Sequence, residues 1–398
     1  LLILFTVAGF IEVVFWGQVT AFTPLYLRQL GIAQADVATW TGAVAAISTL
    51  VGVPFLPFWG ALADRYARKP VIVRSFVAHL LAGAVMMASG GNVWVFVVGR
   101  AISSFALGNS GLMMTTLSER TPPNRLGLAF GIMNSAPPVG AFLGPLIGGP
   151  IVDRWGFPTL VGIDTVFLLA TIVAMTVGYT DNFKANRTGT LLQMAFGSIG
   201  IIWQSQRLRL LFPALFLLQA GWMLAFTYVP LVAQEVYTGN DPGTATGIVV
   251  GAGGFIALIL SPILGSVGDR FGYWRVLFIA SMLSVALWPL PWFTRDLVSF
   301  GVAWAIINGL SSAIFAISFT VLANSTTSDV RGRVMTFSYL PVNMGFAAGP
   351  AVGLLVTRVS LFAVFPAAAV ITLLGIGALY AASRQPISAG SVEMARAA

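Results

Sequence analysis

The sequence predicts an all-α membrane protein in which twelve transmembrane helices form two pseudo-symmetric six-helix bundles. Three observations predict it. Of 398 residues, 57% are hydrophobic and only 9% are charged, against about 25% charge in a soluble domain; that much apolar surface requires the bilayer as solvent. Apolar runs of about 20 residues, the length that crosses a hydrocarbon core, occur twelve times. The first six runs and the last six also share sequence at a constant spacing.

In chain order the runs lie near residues 1–27, 37–59, 71–89, 93–118, 128–151 and 159–179, and then near 208–236, 244–267, 276–293, 298–323, 335–357 and 361–382. Leu1 to Tyr26 is too long for a signal-peptide core and no cleavage pattern follows, so it reads as the first span. The longest polar stretch, 180–207, divides the runs six and six, and its middle, Leu191 to Trp203, is apolar enough for an interfacial helix. The expected organisation is an N-terminal bundle over 1–179, a cytoplasmic linker over 180–207, a C-terminal bundle over 208–382 and a cytoplasmic tail over 383–398.

The repeat is direct. Gly60-Ala-Leu-Ala-Asp64-Arg65 returns as Gly265-Ser-Val-Gly-Asp269-Arg270. Gly140-Ala-Phe-Leu-Gly144-Pro145 returns as Gly345-Phe-Ala-Ala-Gly349-Pro350, Gly148 as Gly353 and Gly127 as Gly332, each pair 205 residues apart. Four sites in one register indicate duplication of a six-helix half.

Charge sets the orientation. With the N-terminus inside, 16 of the 21 Lys and Arg residues fall in inside segments, among them Arg74, Lys184, Arg187 and Arg396. Arg28, Arg154, Arg295 and Arg358 fall outside, and Arg100 lies within a span. This bias puts both termini in the cytoplasm and accounts for the net charge of +8 without nucleic acid. Trp94 and Trp292, at span ends, read as interface anchors.

Chemistry is limited by what the spans lack. Cys is absent, His79 is the single histidine and no HExxH occurs, so no metal site is expected. No nucleophile–base set, phosphate loop or ATP-binding motif appears. The expectation is a transporter, not an enzyme, with no cofactor and an ion gradient as its energy source.

Two motifs carry mechanism. Gly60-Ala-Leu-Ala-Asp64-Arg65-Tyr66-Ala67-Arg68-Lys69 falls in the inside turn between spans 2 and 3. Gly60 lets helices approach, Asp64 can face a helix N-terminus, and Arg68 can pair with Glu119 at the inside end of span 4. The string resembles the major-facilitator signature G-x-L-x-D-R-x-G-R-K, with Ala67 for the second Gly. In that family the cluster, here with its echo at Asp269 and Arg270, latches one conformation and releases it during alternation. Gly140-x-x-x-Gly144-Pro145-x-x-Gly148-Gly149 on span 5 makes a flat strip for helix packing, and Pro145 bends the helix. It is similar to the signature of the drug:proton antiporter branch, where this helix abuts helix 8 between the halves and is tied to export.

With FTPLYLRQLG ending span 1 and Pro57-Phe58-Trp59-Gly60 opening the first motif, residues 20–180 resemble twelve-helix bacterial multidrug exporters. The resemblance implies a monomer in the bacterial inner membrane that exchanges protons for small lipophilic or cationic compounds. A carrier for one metabolite such as a sugar, or a lipid flippase on the same fold, is the alternative.

An ionisable group at mid-bilayer costs roughly 2.5–3.5 kcal/mol on insertion scales, so it is rarely idle. Glu12, near the middle of span 1, is the candidate for binding and releasing protons. Arg100 sits in a degraded form of the family's R-x-x-Q-G motif, with Ser103 and Ser104 replacing Gln and Gly; the resemblance links it to coupling. Asp164 reads as an anchor and His79 as structural, on helices that are peripheral in this fold. Candidate cavity residues, on helices that line the centre or flank it in this family, are Trp16, Gln18, Asn109, Met113, Asn134, Gln219, Trp222, Phe226, Trp304, Asn308, Phe315 and Asn343. Aromatic and Met side chains with scattered amides suit bulky lipophilic ligands.

Overall fold

A computed structural model describes residues 1–122, 125–181 and 190–386. Lys184, Arg187 and Arg396 lie outside the described residues, as do parts of the linker and tail. Twelve helices are long and apolar enough to cross a membrane, and no strand occurs among the described residues. In order, spans 1 to 6 are Leu2–Gln29, Gln34–Arg65, Arg68–Met87, Val93–Arg120, Leu128–Trp155 and Phe157–Gly178. Spans 7 to 12 are Gln206–Val236, Pro242–Phe271, Tyr273–Phe293, Leu297–Asn324, Val330–Val356 and Leu361–Ser383. An even count puts the two chain ends and the linker on one side, called here the termini side; the other is the far side.

Leu191–Gln204 forms the linker helix. A capping box starts it: Thr190 Oγ1 accepts from Gln193 N, and the Gln193 side chain accepts from Thr190 N. It packs beneath spans 2, 7 and 11, with Phe196 edge-on to Phe58.

Spans 2 and 4 are broken. Span 2 changes helix near Gly52, where a Cβ would collide with the Ser104 carbonyl of span 4. Span 4 runs as Val93–Ser103, a 3-10 turn over Ser104–Ala106, and a second helix over Asn109–Arg120. Gly108 between them has φ 97°, a conformation that only glycine adopts at little cost.

The halves meet through spans 5 and 8 on one side and spans 2 and 11 on the other. The span 5 and 8 contact is built on glycine. A Cβ on Gly149 would lie 2.6 Å from the Gly243 carbonyl, and one on Gly251 2.9 Å from that of Phe142; Gly247 lies directly against the Pro145 carbonyl. Backbones this close need residues without side chains.

The buried apolar side chains divide unequally. One continuous cluster joins the N-terminal bundle to the far-side part of the C-terminal bundle, through Leu224, Val249, Trp304 and Phe365. A second cluster, around Leu211, Leu277, Ile317 and Val334, stays within the termini-side part of the C-terminal bundle. On the termini side, Thr115, Asn134, Ser135 and Thr336 are exposed although they sit within spans. Gly17 to Pro24 of span 1, toward the far side, are all buried. The halves are packed together on the far side, whereas on the termini side these polar positions are open and spans 2 and 11 keep a loose contact at Gly60 and Thr336.

Candidate functional site

The first group of functional side chains lies inside the N-terminal bundle. Asn109 Nδ2 donates to Glu12 Oε2 at 2.8 Å. His79 Nδ1 lies 3.9 Å from Glu12 Oε1, beyond hydrogen-bond reach, and has no hydrogen-bond partner of its own. Phe15 covers the imidazole at 5.0 Å between ring centroids. Arg74 of span 3 bears electrostatically on both Glu12 and His79. Its Nη2 donates to the Leu107 carbonyl and to Ser75 Oγ, each at 2.8 Å, and its guanidinium lies 3.7 Å from the Trp59 ring centroid. Arg100 is buried, donates to Ser48 Oγ at 3.2 Å, and acts on His79.

Glu12 thus points into its own bundle, toward spans 3 and 4. Two expectations are corrected. His79 belongs to the Glu12 cluster despite the peripheral position expected of its helix. Arg74, counted above with the inside segments, lies within span 3. It already fell within the apolar run 71–89, and the helix begins before that run, at Arg68, so Arg74 sits well inside the span and not in the basic turn.

The motif cluster at the end of span 2 also differs in part from expectation. Arg68 and Glu119 form a two-pronged pair, Nη1 to Oε2 at 2.6 Å and Nη2 to Oε1 at 2.8 Å. Both residues belong to the N-terminal bundle, so the pair braces span 3 against span 4. Asp181, after span 6, accepts from Arg68 N and Lys69 N at 2.7 and 2.8 Å and so caps span 3. Lys69 Nζ donates to the Thr176 carbonyl at 2.6 Å. Arg65 extends over the Tyr66 ring. Asp64 is exposed, in the field of Arg68 and Glu119. A Cβ on Gly60 would meet only Thr336 at 3.9 Å, an ordinary contact, so the expected close helix approach does not occur there. In the echo, Asp269 accepts from the Tyr273 hydroxyl and Arg270 is exposed.

The glycine strip of span 5 faces mainly its own bundle. Cβ atoms on Gly140, Gly144 and Gly148 would meet Phe10, Val14 and Phe22 of span 1 at 3.1, 3.3 and 2.8 Å. Gln18 of span 1 donates Nε2 to the Gly144 carbonyl at 2.8 Å. Gly149 and the backbone of Ala141, Phe142 and Pro145 are turned to span 8. The residue that ties the halves there was not foreseen. Asp153 Oδ1 accepts from Gly243 N at 2.8 Å, and its Oδ2 accepts from Thr244 N and Thr244 Oγ1, each at 2.7 Å. It caps span 8 from span 5, on the far side.

The second group is aromatic and sits between the halves. Trp16 of span 1 stacks on Phe226 of span 7 at 5.7 Å. Phe226 contacts Trp222 and Trp304 at 6.3 and 6.0 Å, and Trp222 contacts Phe315 at 6.1 Å. Trp222 Nε1 donates to Asn308 Oδ1 at 3.0 Å. Phe346, Phe319 and Tyr339 continue the cluster and were not anticipated. Asn134 is exposed on span 5.

Other candidates fall elsewhere. Asn109 and Met113 are buried in the N-terminal bundle. Gln18 is held on span 5, and Asn343 donates to the Tyr339 carbonyl of its own helix. Gln219 is buried and lines a small hollow within the C-terminal bundle. An amide on a central helix has no sequence signal for which of its faces it occupies.

Residues 4–293 and 240–396 match the family described as the Major Facilitator Superfamily. The chain is 28% identical to the multidrug resistance protein MdtG of Yersinia enterocolitica over 384 residues, covering 94% of this chain and 91% of that protein. It is 27% identical to MdtG of Klebsiella pneumoniae over 344 residues, 85% and 82% of the two chains. Among solved structures it resembles the human organic anion transporter MFSD10, with a TM-score of 0.70 and 16% identity over 95% of this chain and 98% of that one. It also resembles a D-xylose–proton symporter, with a TM-score of 0.72 and 14% identity over 98% of each. At these identities the two structures share the fold.

Proposed function

We propose that this chain, which belongs to the Major Facilitator Superfamily, exports lipophilic drug-like compounds from the bacterial cytoplasm in exchange for protons. The MdtG relatives support the drug-export reading. The observation that carries the proton reading is Glu12, a carboxyl within span 1 whose hydrogen-bond partner is the neutral amide of Asn109. A carboxyl hydrogen-bonded to an amide keeps a partner in either protonation state. The cluster around it also holds Arg74, His79 and Arg100, so it offers no net negative charge to a cation. That favours neutral lipophilic substrates over cationic ones.

With the termini in the cytoplasm, the state described opens inward. Substrate enters from the termini side and packs on Trp16, Trp222 and Phe226, where large rings bind by area and polarizable contact. The proton enters the Glu12 cluster, separate from the aromatic surface. Coupling is therefore conformational: the proton and the drug favour different arrangements of the two halves. In this state Asp153 holds the far side shut through span 8.

The test is export of a lipophilic dye by inverted vesicles under an imposed pH gradient. Glu12→Gln is expected to abolish gradient-driven transport while retaining expression. Undiminished transport by that variant overturns the proton assignment. Response to a single polar metabolite, with indifference to every lipophilic compound offered, overturns the substrate class.

A further inference from the structure

We propose that Arg74 is a positioning residue that ties Glu12 to a hinge in span 4, so that the protonation state of Glu12 moves the termini-side half of that span. This rests on Glu12 as the proton site.

The hinge is visible in the backbone. Leu107 is extended, with φ −56° and ψ 145°, and Gly108 has φ 97°, so the helix of span 4 stops and restarts at Asn109. A break inside a membrane span frees carbonyl groups that must find other donors. Arg74 supplies one by reaching across from span 3 to the Leu107 carbonyl. Trp59 of span 2 backs its guanidinium, and the Gly108 turn lies against the same tryptophan: a Cβ on Gly108 would be 3.6 Å from Trp59 Cβ.

Glu12 holds the other side of the break, through Asn109, the first residue of the second helix. One two-residue break is thus held before the turn by Arg74 and after it by Glu12. The two holders attract each other only while Glu12 is ionised. Arg74 Nε and Nη1 are buried without hydrogen-bond partners, so the guanidinium has donors for a second arrangement. Beyond the break, Asn109–Arg120 packs on spans 1, 3 and 5 of its own bundle and carries Glu119, the partner of Arg68. A turn at Gly108 therefore reaches the motif cluster directly.

The groups facing Glu12 are few. Arg74 and His79 come from span 3 and Asn109 from span 4, and Arg100 acts on His79. Spans 2, 5, 7 and 8, which also pack on span 1, carry no Asp, Glu, Lys, Arg or His at this depth, and Asp164 of span 6 lies nearer its far end.

The experiment uses the chain's freedom from cysteine. Spin labels are placed on the exposed Thr115 of span 4 and Thr336 of span 11, and their distance distribution is followed through a pH titration in nanodiscs. The parent is expected to change its distribution with pH. Gly108→Ala and Arg74→Gln are expected to lose that response, or to move its apparent midpoint by about one pH unit or more. A Cβ fits at Gly108, so the alanine variant acts on the backbone turn. If it fails to fold, Arg74→Lys, which keeps the charge but loses the forked geometry, carries the test. Parent-like responses in these variants overturn the hinge; if Glu12→Gln alone abolishes the response, the proton site stands without it. A parent-like response in Glu12→Gln overturns the proton site itself.

Discussion

The two bundles share a scaffold and differ in chemistry at one matched place. Spans 1 and 7 align through Trp16 with Trp222 and Pro24 with Pro230, and Gly140 and Gly345 press on corresponding carbonyls, of Phe10 and Phe216. In that alignment Leu218 stands for Glu12, Ser284 for His79 and Ile314 for Asn109. Those three C-terminal residues line the small hollow described above, together with Gln219, Trp222 and Trp288. Where one bundle holds an ionic cluster, the other holds a nearly neutral hollow. The contact of span 1 with span 5 did not require the charges, because its neutral copy, span 7 on span 11, is pressed together at the corresponding glycine; span 10, the counterpart of the broken span 4, is one continuous helix. A second acid in the C-terminal bundle would have lacked its neighbours.

The sharpest way to break this comparison is to add the missing acid. Leu218→Glu is expected to be the most damaging change. No basic side chain lines the hollow around it, and a charge at mid-span costs roughly 2.5–3.5 kcal/mol on insertion scales. Thermal unfolding in detergent and the yield of monodisperse protein measure it. Adding Ile314→Asn, which supplies the amide that Glu12 uses, should recover part of the loss. Parent-like stability of Leu218→Glu would mean that the environment of the N-terminal cluster is not what permits its charges.

A smaller effect is expected where the bundles meet. Asp153→Ala removes three hydrogen bonds that hold span 8 to span 5. Hydrogen bonds to a charged group contribute about 1.5–3 kcal/mol each, much of it returned when water replaces them on the far side. A net loss of ~1.4 kcal/mol is a tenfold shift toward a state open on the far side. Spin labels on the exposed Thr159 and Asn240 should then report a longer far-side distance. An unchanged distance would assign closure to the glycine contacts alone.

The fold was legible because hydropathy reports length and the repeat reports duplication; neither depends on which way a side chain points. The break at Gly108 was not legible, since an isolated glycine in an apolar run also suits helix packing. Arg74 was miscounted although it fell within the apolar run 71–89: an arginine near the end of a span was read as part of the basic turn, and this one packs its guanidinium on Trp59. Arg68 with Glu119 could be paired from sequence, as complementary charges at the ends of neighbouring spans. Asp153 could not, because its partners are the backbone N–H groups and hydroxyl of a helix start in the other bundle. For the glycine strip, the sequence correctly reads as a packing face but does not say which helix fills it.

The smallest change tests what the neutral bundle contributes. Trp222→Phe keeps a ring among Phe226, Phe315 and Phe346 but removes the hydrogen bond to Asn308 Oδ1. The net loss should be about 0.5–1.5 kcal/mol in stability, read as a modest drop in melting temperature. Export should separate two roles for this surface. If it binds by area, transport of neutral lipophilic compounds stays within a few-fold of the parent, because most of the contact is retained. If the indole N–H and the Asn308 amide recognise polar substrate groups, losing one donor leaves a buried acceptor unpaired, and discrimination falls by tenfold or more for substrates that carry the matching group. A few-fold change across the whole lipophilic panel, with no compound singled out, would leave charge with the first bundle and shape with the second.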